Sequence, residues 1–303
     1  MGAGGRSSLP RGSAPSYIWS VTKQNFLSKL TGSFSTPADG NPTVVMVEAA
    51  FKAANLNIRY INTEVFPDGL HAAVLGAKAM NWLGFNLSAP HKVKVIPMLE
   101  GLGESASIMG AVNCVVNRDG KLIGENTDGK GFLKAFNEVL DPKDKTILIF
   151  GAGGAARAIA VELALVQAKK IIIVNRNAER GEDLAKTIRE RTTAEAEYVN
   201  WTPKFAIPAG VDAAVNATTV GMDQFDGKEL DIDFDSIHSN LVVSDVIVNP
   251  PNTHFLQEGA KRGATTIDGL GMLVYQGMIG IKYWTGLDSD QAAMRKALEE
   301  VNI

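Results

Sequence analysis

The 303 residues are 45% hydrophobic and 21% charged, a globular balance with room for two domains and too apolar for disorder. A formal charge of −3 supplies no field to gather nucleic acid, and no apolar run approaches the ~20 residues that cross a bilayer. The single cysteine, Cys114, excludes an internal disulfide and suits a reducing cytoplasm, and with four scattered histidines it gives no metal-ligand spacing.

Residues 1–16, MGAGGRSSLPRGSAPS, are small, polar and rich in Pro and Gly. Without an apolar stretch they do not read as a signal peptide, and a flexible extension is expected. Beyond them, strand-like runs at 29–35, 57–63, 84–87, 112–117 and 121–124 alternate with helical spacing at 43–54 and 70–82. That alternation predicts βαβ units and a mainly parallel sheet. After Asp141-Pro142 a second series begins: strand 146–150, helix 155–166, strand 170–175, helix 178–191, strands 213–216, 241–244 and 265–267, with a helix near 253–262. This is the order of a doubly wound nucleotide-binding domain. Two last helices, 270–283 and 289–301, read as a return to the first domain. The expected fold is therefore two α/β domains: 17–127 plus 268–303 for substrate, and 128–267 as a Rossmann domain for NAD(P).

The strongest local signal is IFGAGGAARA, Ile149 to Ala158. Gly151 permits the tight turn out of the strand. Gly153 lets backbone approach a pyrophosphate, and Ala156 lets the following helix pack closely. With Ala152, Gly154 and Ala155 these residues place helix amides against phosphates. The second strand ends at the expected distance in Val174-Asn175-Arg176. An NAD site normally carries an acid there; this sequence has Asn175, Arg176 and, one turn on, Arg180. Two guanidiniums suit the 2′-phosphate of NADP, while NAD stays open, since Arg180 could instead pair with Asp183 or Glu179.

The first domain carries GFNLSAPHK, Gly84 to Lys92, in which Asn86 and Ser88 share one side of a strand. Farther on stand GAVN, with Asn113, and ENTDGKG, with Asp128. A lysine in a cleft can polarise a carbonyl or move the proton of an alcohol as hydride is transferred. The plainer readings are a solvated lysine at a helix start and an aspartate N-cap. His91 is read as incidental and Cys114 as a small buried side chain.

The chain resembles the shikimate/quinate dehydrogenase family. GFNLSAPHK, GAVNC, NTDGKG, GAGGAARA, NATTVGM (Asn216 to Met222) and DGLGMLVYQ (Asp268 to Gln276) follow that family's motifs in order. The resemblance implies Lys92 and Asp128 as the catalytic pair. It implies Asn86, Ser88, Asn113 and Gln276 as substrate ligands, and Thr218, Met222 and Gly269 toward the nicotinamide. It further implies a cytoplasmic, aromatic-biosynthesis (chorismate-pathway) type of oxidoreductase, a monomer or homodimer, interconverting 3-dehydroshikimate or a related cyclic hydroxy acid with its alcohol through NADP.

The substrate segment departs from the pattern. The family has two serines before a proline, which hold the substrate carboxylate. In GSFSTPADGNPTVV their places fall to Asp39 and Asn41, with one residue inserted. Asp39 would repel a carboxylate. Asn41 could still donate to a substrate, and Ser33, Ser35 or Thr36 are other sources of hydroxyls. In SDVIVNP, Val248 replaces the family's tyrosine. A quinate/shikimate dehydrogenase using NAD, a cofactor-binding regulator without turnover, and a methylenetetrahydrofolate dehydrogenase-like enzyme are the alternatives. Lys92 with Asp128 argues against the regulator, and the NTDG and DGLGM stretches against the last.

Overall fold

A computed structural model describes residues 26–222 and 229–301, so the expected extension at 1–16 lies outside the described residues. The first sheet contains β1 (Lys29–Ser35), β2 (Ile58–Glu64), β3 (Gly84–Leu87), β4 (Gly101–Leu102), β5 (Cys114–Arg118) and β6 (Lys121–Glu125), in the order β2-β1-β3-β5-β6-β4. Helices α1 (Thr43–Ala53), α2 (Leu70–Ala79), α3 (His91–Lys94) and α4 (Glu104–Met109) connect these strands.

The sheet is less parallel than its alternating pattern predicts. β1 runs parallel to β2 and β3, but β5 is antiparallel to both β3 and β6. The cause is local: Asp119-Gly120 has positive φ at both residues and turns β5 straight into β6. An Asp-Gly pair of that conformation is the favoured two-residue hairpin turn.

α5 (Asp128–Phe136) leads into the second sheet. Its elements are β7 (Thr146–Phe150), α6 (Gly154–Leu165), β8 (Lys170–Asn175), α7 (Ala178–Arg191), β9 (Glu195–Asn200), β10 (Phe205–Ala206), β11 (Ala213–Asn216), β12 (Ile232–Asp233), β13 (Val242–Asp245), α8 (His254–Lys261) and β14 (Thr265–Ile267). Six strands pair in parallel in the order β14-β13-β11-β7-β8-β9, the doubly wound arrangement, while β10 and β12 form a small separate pair. Its central strands are buried on both faces, which is why they read as unbroken apolar runs. Ile147 and Ile149 pack with α6 and α7, and Leu148 and Phe150 with Trp201, Phe205 and Leu256 on the other side.

The chain returns through α9 (Gly269–Thr285) and α10 (Gln291–Glu299). Asp268 starts α9 by accepting from the backbone N–H groups of Leu270 and Gly271, at 3.1 and 3.2 Å. α9 lies along α5 and the outer face of β5, where Trp284 donates to the Val115 carbonyl at 3.0 Å. The loops at the carboxyl ends of β1, β3, β7, β11 and β13 thus converge on one crevice, where open α/β sheets place ligands.

Candidate active site

Two adjoining hollows fill that crevice and share Val246, Val248 and Leu273 as a common wall. The inner one, about 250 Å³, is lined by Asn41, Thr43, Asn86, Leu87, Ser88, Lys92, Asn113, Asp128, Gly269, Met272 and Gln276 besides that wall. Its size suits a small metabolite rather than an extended ligand.

At one end, Lys92 from α3 donates to Asp128 Oδ2 at 2.7 Å, and Asn113 donates to Asp128 Oδ1 at 2.7 Å. Asn113 is itself aimed by accepting from the Thr127 backbone N–H at 2.6 Å. Asp128 opens α5, yet its carboxylate bonds none of that helix's amides; Asn126 serves there, accepting from the Asp128 N–H at 3.1 Å. The aspartate is thereby left to the lysine. Both side chains reach the hollow, with 35% and 20% exposure.

Asn86 is held by two buried bonds: it accepts from the Tyr60 hydroxyl at 2.9 Å and donates to the Asn113 carbonyl at 3.0 Å. Gln276 of α9 reaches the Thr127 hydroxyl at 3.3 Å. Ser88 and Thr43 line the hollow with hydroxyls that bond no described residue. All seven of the predicted catalytic and substrate residues, Lys92, Asp128, Asn86, Ser88, Asn113, Gln276 and Asn41, therefore face one cavity.

The substrate-segment departures resolve differently from one another. Asp39 is exposed and lines neither hollow. Asn41 lines the inner hollow. Ser33 lies behind it, donating to Asn62; Thr36 donates to Glu64, and Ser35 is buried with no partner. None of these three hydroxyls reaches the cavity. His91 is fully buried, its Nε2 2.7 Å from the Val65 carbonyl, directed away from Lys92's work. Cys114 is buried, and burial pushes its thiol well above the usual range.

The larger cleft, about 780 Å³, runs along the carboxyl edge of the second sheet. Gly151, Ala152, Gly153, Gly154, Ala155, Asn175, Arg180, Thr218 and Met222 line it. Gly151 has φ +110°, as the predicted tight turn needs, and a Cβ added at Gly153 or Gly154 would meet no protein atom within 4 Å. That open space lies at the N-terminus of the twelve-residue α6 and fits a pyrophosphate. Arg180 makes no ion pair among the described residues, because Asp183 is taken by Arg157. Arg176 stands outside the lining, with its guanidinium 5.0 Å above the Trp201 ring. Gly269 lines the inner hollow rather than the cleft, pressed so close to β13's exit that a Cβ there would lie 2.4 Å from the Ile247 carbonyl oxygen.

Sequence reasoning did not single out Thr43, Met272 and Leu273 as lining residues; Thr43 carries no signal beyond helix spacing, while Met272 and Leu273 stand in the DGLGMLVYQ stretch without an assigned role. It also missed Asp245, whose carboxylate holds the shared wall. Asp245 accepts from Asn216 at 3.0 Å, the Thr253 hydroxyl at 2.8 Å and the Ile247 N–H at 3.0 Å. Burial pushes this carboxyl up to about 6, against the pull of those donors.

Known proteins resemble this chain in sequence and fold. Family models match at residues 36–115 (shikimate dehydrogenase substrate binding domain), 134–219 (shikimate / quinate 5-dehydrogenase) and 269–299 (shikimate 5′-dehydrogenase C-terminal domain). A shikimate dehydrogenase (NADP+) of Desulforamulus reducens is 39% identical over 280 residues, 91% of this chain and 96% of that protein. Among solved structures, the ligand-free 5-ketofructose reductase of Gluconobacter sp. strain CHM43 superposes with TM-score 0.89 at 52% identity, covering 91% of this chain and all of that one (100%). The Listeria monocytogenes shikimate 5-dehydrogenase, solved with shikimate and NAD, superposes with TM-score 0.84 at 33% identity, over 89% and 96%. Motifs and fold agree with these likenesses, and the chain belongs to the shikimate dehydrogenase family of oxidoreductases.

Proposed function

We propose that the protein is a cytoplasmic NADPH-dependent reductase of a small polyhydroxylated ketone, and that 5-ketofructose, giving a 2-ketohexose such as fructose, is its best substrate. Residues 17–127 with 268–303 bind the ketone, and 128–267 bind the cofactor. The observation that carries the substrate reading is the lining of the inner hollow. Where the family pattern has two serines for a carboxylate and a tyrosine near the substrate, this hollow presents the Asn41 amide, the Thr43 hydroxyl and the apolar Val248. Among the described residues Lys92 is the only cation lining the hollow, and it is already paired with Asp128. A substrate carboxylate would be desolvated there with little compensation. A neutral sugar would not, and the 52% identity to a 5-ketofructose reductase supports the same choice.

NADP(H) supplies the hydride when bound. Gly151 to Ala155 receive the pyrophosphate and Arg180 the 2′-phosphate, with Arg176 as a stacked second guanidinium. Thr218 and Met222 stand toward the nicotinamide. In the inner hollow the Lys92 ammonium hydrogen-bonds the reacting carbonyl oxygen and gives it a proton as the alkoxide forms. Asp128 fixes the lysine, and Asn113 fixes Asp128. Asn86, Ser88 and Gln276 hold neighbouring hydroxyls, and closure of the crevice excludes water.

A second reading, NADP-linked interconversion of 3-dehydroshikimate and shikimate, is favoured by the intact Lys92–Asp128–Asn113 set and by the curated relatives. Steady-state kinetics with NADPH separates the two. We expect kcat/KM for 5-ketofructose to exceed that for 3-dehydroshikimate by at least about 100-fold. The reverse order would assign the cyclic acid instead.

A further inference from the structure

We infer that the buried Tyr60 hydroxyl is a positioning group for substrate binding: it fixes the Asn86 amide so that one N–H and one lone pair of that amide are presented to a substrate hydroxyl. The inference rests on the placing of Asn86 as a substrate ligand in the reading above, and it adds a residue that lines neither hollow.

Tyr60 belongs to β2 and Asn86 to β3, with β1 between them. Adjacent strands lie about 4.8 Å apart, so the side chain must cross the width of β1 to reach its partner. The register permits it. Tyr60 lies opposite Thr31 and Asn86 opposite Ser33, so these four residues share one face of the sheet. Thr31 and Ser33 are small and fully buried, and a phenol can lie across them. The Tyr60 ring packs in an apolar cluster 6.0 Å from the Trp284 ring, and the residue is 2% exposed. A phenylalanine would fill that space without taking a hydroxyl out of water. The hydroxyl is accounted for by its bond to Asn86 Oδ1 at 2.9 Å. Burial pushes its ionisation well above the usual phenol range, so it acts as a neutral donor.

An amide disposes of two N–H groups and two oxygen lone pairs. At Asn86, Oδ1 accepts from Tyr60 and Nδ2 donates to the Asn113 carbonyl at 3.0 Å. Both ends of the amide are thereby held, and a flipped amide would set its oxygen against that carbonyl. A donor at the oxygen also polarises the group and strengthens its remaining N–H. One N–H and one lone pair are left, on an amide that lines the inner hollow. The Asn113 carbonyl does not depend on Asn86 for its place, because it also accepts from the Leu87 backbone N–H at 2.8 Å. Loss of the Tyr60 bond therefore loosens Asn86 while Asn113, Asp128 and Lys92 stay in register. The signature is weaker ketone binding with unimpaired turnover.

A double-mutant cycle tests this. Tyr60→Phe removes one oxygen and keeps the ring; on 5-ketofructose it should raise KM about 5–20-fold, with kcat and the NADPH KM within about twofold of wild type. Asn86→Ala should raise the same KM about 10–100-fold, and Tyr60→Phe should add nothing in that background. A merely structural tyrosine would cost the same in both backgrounds, so additive losses overturn the inference. A fall in kcat, or a KM within about twofold of wild type, overturns it too. Should Asn86→Ala fail to fold, Asn86→Ser closes the same cycle. A second arm needs Tyr60→Phe alone. Its KM relative to wild type should be flat between about pH 6 and pH 9, since Tyr60 stays protonated and the other titrating groups are common to both proteins. A ratio that changes with pH would make Tyr60 an acid–base group instead. Both arms are run on 3-dehydroshikimate as well, because Asn86 lines the hollow whichever ketone is reduced. Wild-type activity on the cyclic acid alone overturns the ketose reading and leaves the cycle on that acid to decide. Inactivity on both removes the reductase reading and this inference together, whereas an active wild type with a failed cycle removes the inference alone.

Discussion

Lys92 and Asp128 meet because three separate strand ends are tied together at Asn113. That residue's carbonyl takes the Asn86 amide, its side-chain oxygen takes the Thr127 N–H, and its side-chain nitrogen grips Asp128. Removing the ammonium by Lys92→Ala should lower kcat by about 10²–10⁴-fold with little change in NADPH affinity, read by turnover and by fluorescence titration of NADPH. A kcat within tenfold of wild type would take the proton-donor role away from Lys92. In the cleft, Arg180 faces the expected ribose end without an ion pair among the described residues. Arg180→Ala should raise KM for NADPH about tenfold or more and leave that for NADH nearly unchanged, since only the former carries the extra phosphate. Equal losses with both cofactors would assign Arg180 to the shared part of the dinucleotide. These residues were legible in the sequence because each sits in a short motif whose neighbours fix its direction. Ser33 and Asn62 were not: their pairing depends on the register of β1 against β2, which no local pattern encodes.

At the scale of elements, the two glycines of NTDGKG explain a spacing that the catalytic reading leaves unused. A Cβ at Gly129 would lie 2.3 Å from the Ala158 carbonyl oxygen of α6, and one at Gly131 would lie 2.6 Å from the Gln276 backbone nitrogen of α9. α5 is therefore pressed between a helix of the second sheet and the returning helix, with Asp128 at its first turn and Gln276 across from it. Gly131→Ala must push α5 and α9 apart. A loss of at least about 2–3 kcal/mol in stability and a fall in kcat are expected, by thermal unfolding and by turnover. The shared wall has its own device in Asp245. Its folded value of about 6 lies above the ordinary 3.8, so the folded chain takes up this proton before the unfolded chain does. The resulting contribution is greatest below 3.8 and is lost as pH rises through about 6. Relative to Asp245→Asn, wild-type stability should fall by about 2–3 kcal/mol between pH 4 and pH 7. A difference flat with pH would mean that Asp245 titrates normally. The central strands of the second sheet were readable almost to the residue because burial on both faces leaves uninterrupted apolar runs. β9, with its mixture of Glu and Tyr at the sheet edge, lacks that signature and was not predicted.

For the whole molecule, the question is what couples the two sheets that enclose the crevice. α5 touches both, and its Lys130 donates to Glu162 of α6 at 2.9 Å and to Ser105 of α4 at 2.7 Å. Three helices from the two halves thus converge on one ammonium, and Glu162 is only 7% exposed there. A buried carboxylate whose partner is deleted keeps its desolvation cost without the compensating charge. Lys130→Met should therefore destabilise the protein by about 3 kcal/mol. Lys130→Met with Glu162→Leu should recover most of that loss, because two apolar side chains replace the pair. If Lys130 serves only stability, kcat/KM of the double variant returns with its melting temperature. If the pair also fixes how the sheets face each other, the double variant melts like wild type yet keeps a raised KM for both ketone and NADPH. Burial at the junction of α4, α5 and α6 favours the second outcome: an apolar contact is non-directional, whereas the bond from Lys130 sets both distance and angle. Melting curves and two-substrate kinetics on the same three preparations distinguish the two, and restored stability with fully restored KM values would reduce Lys130–Glu162 to a staple.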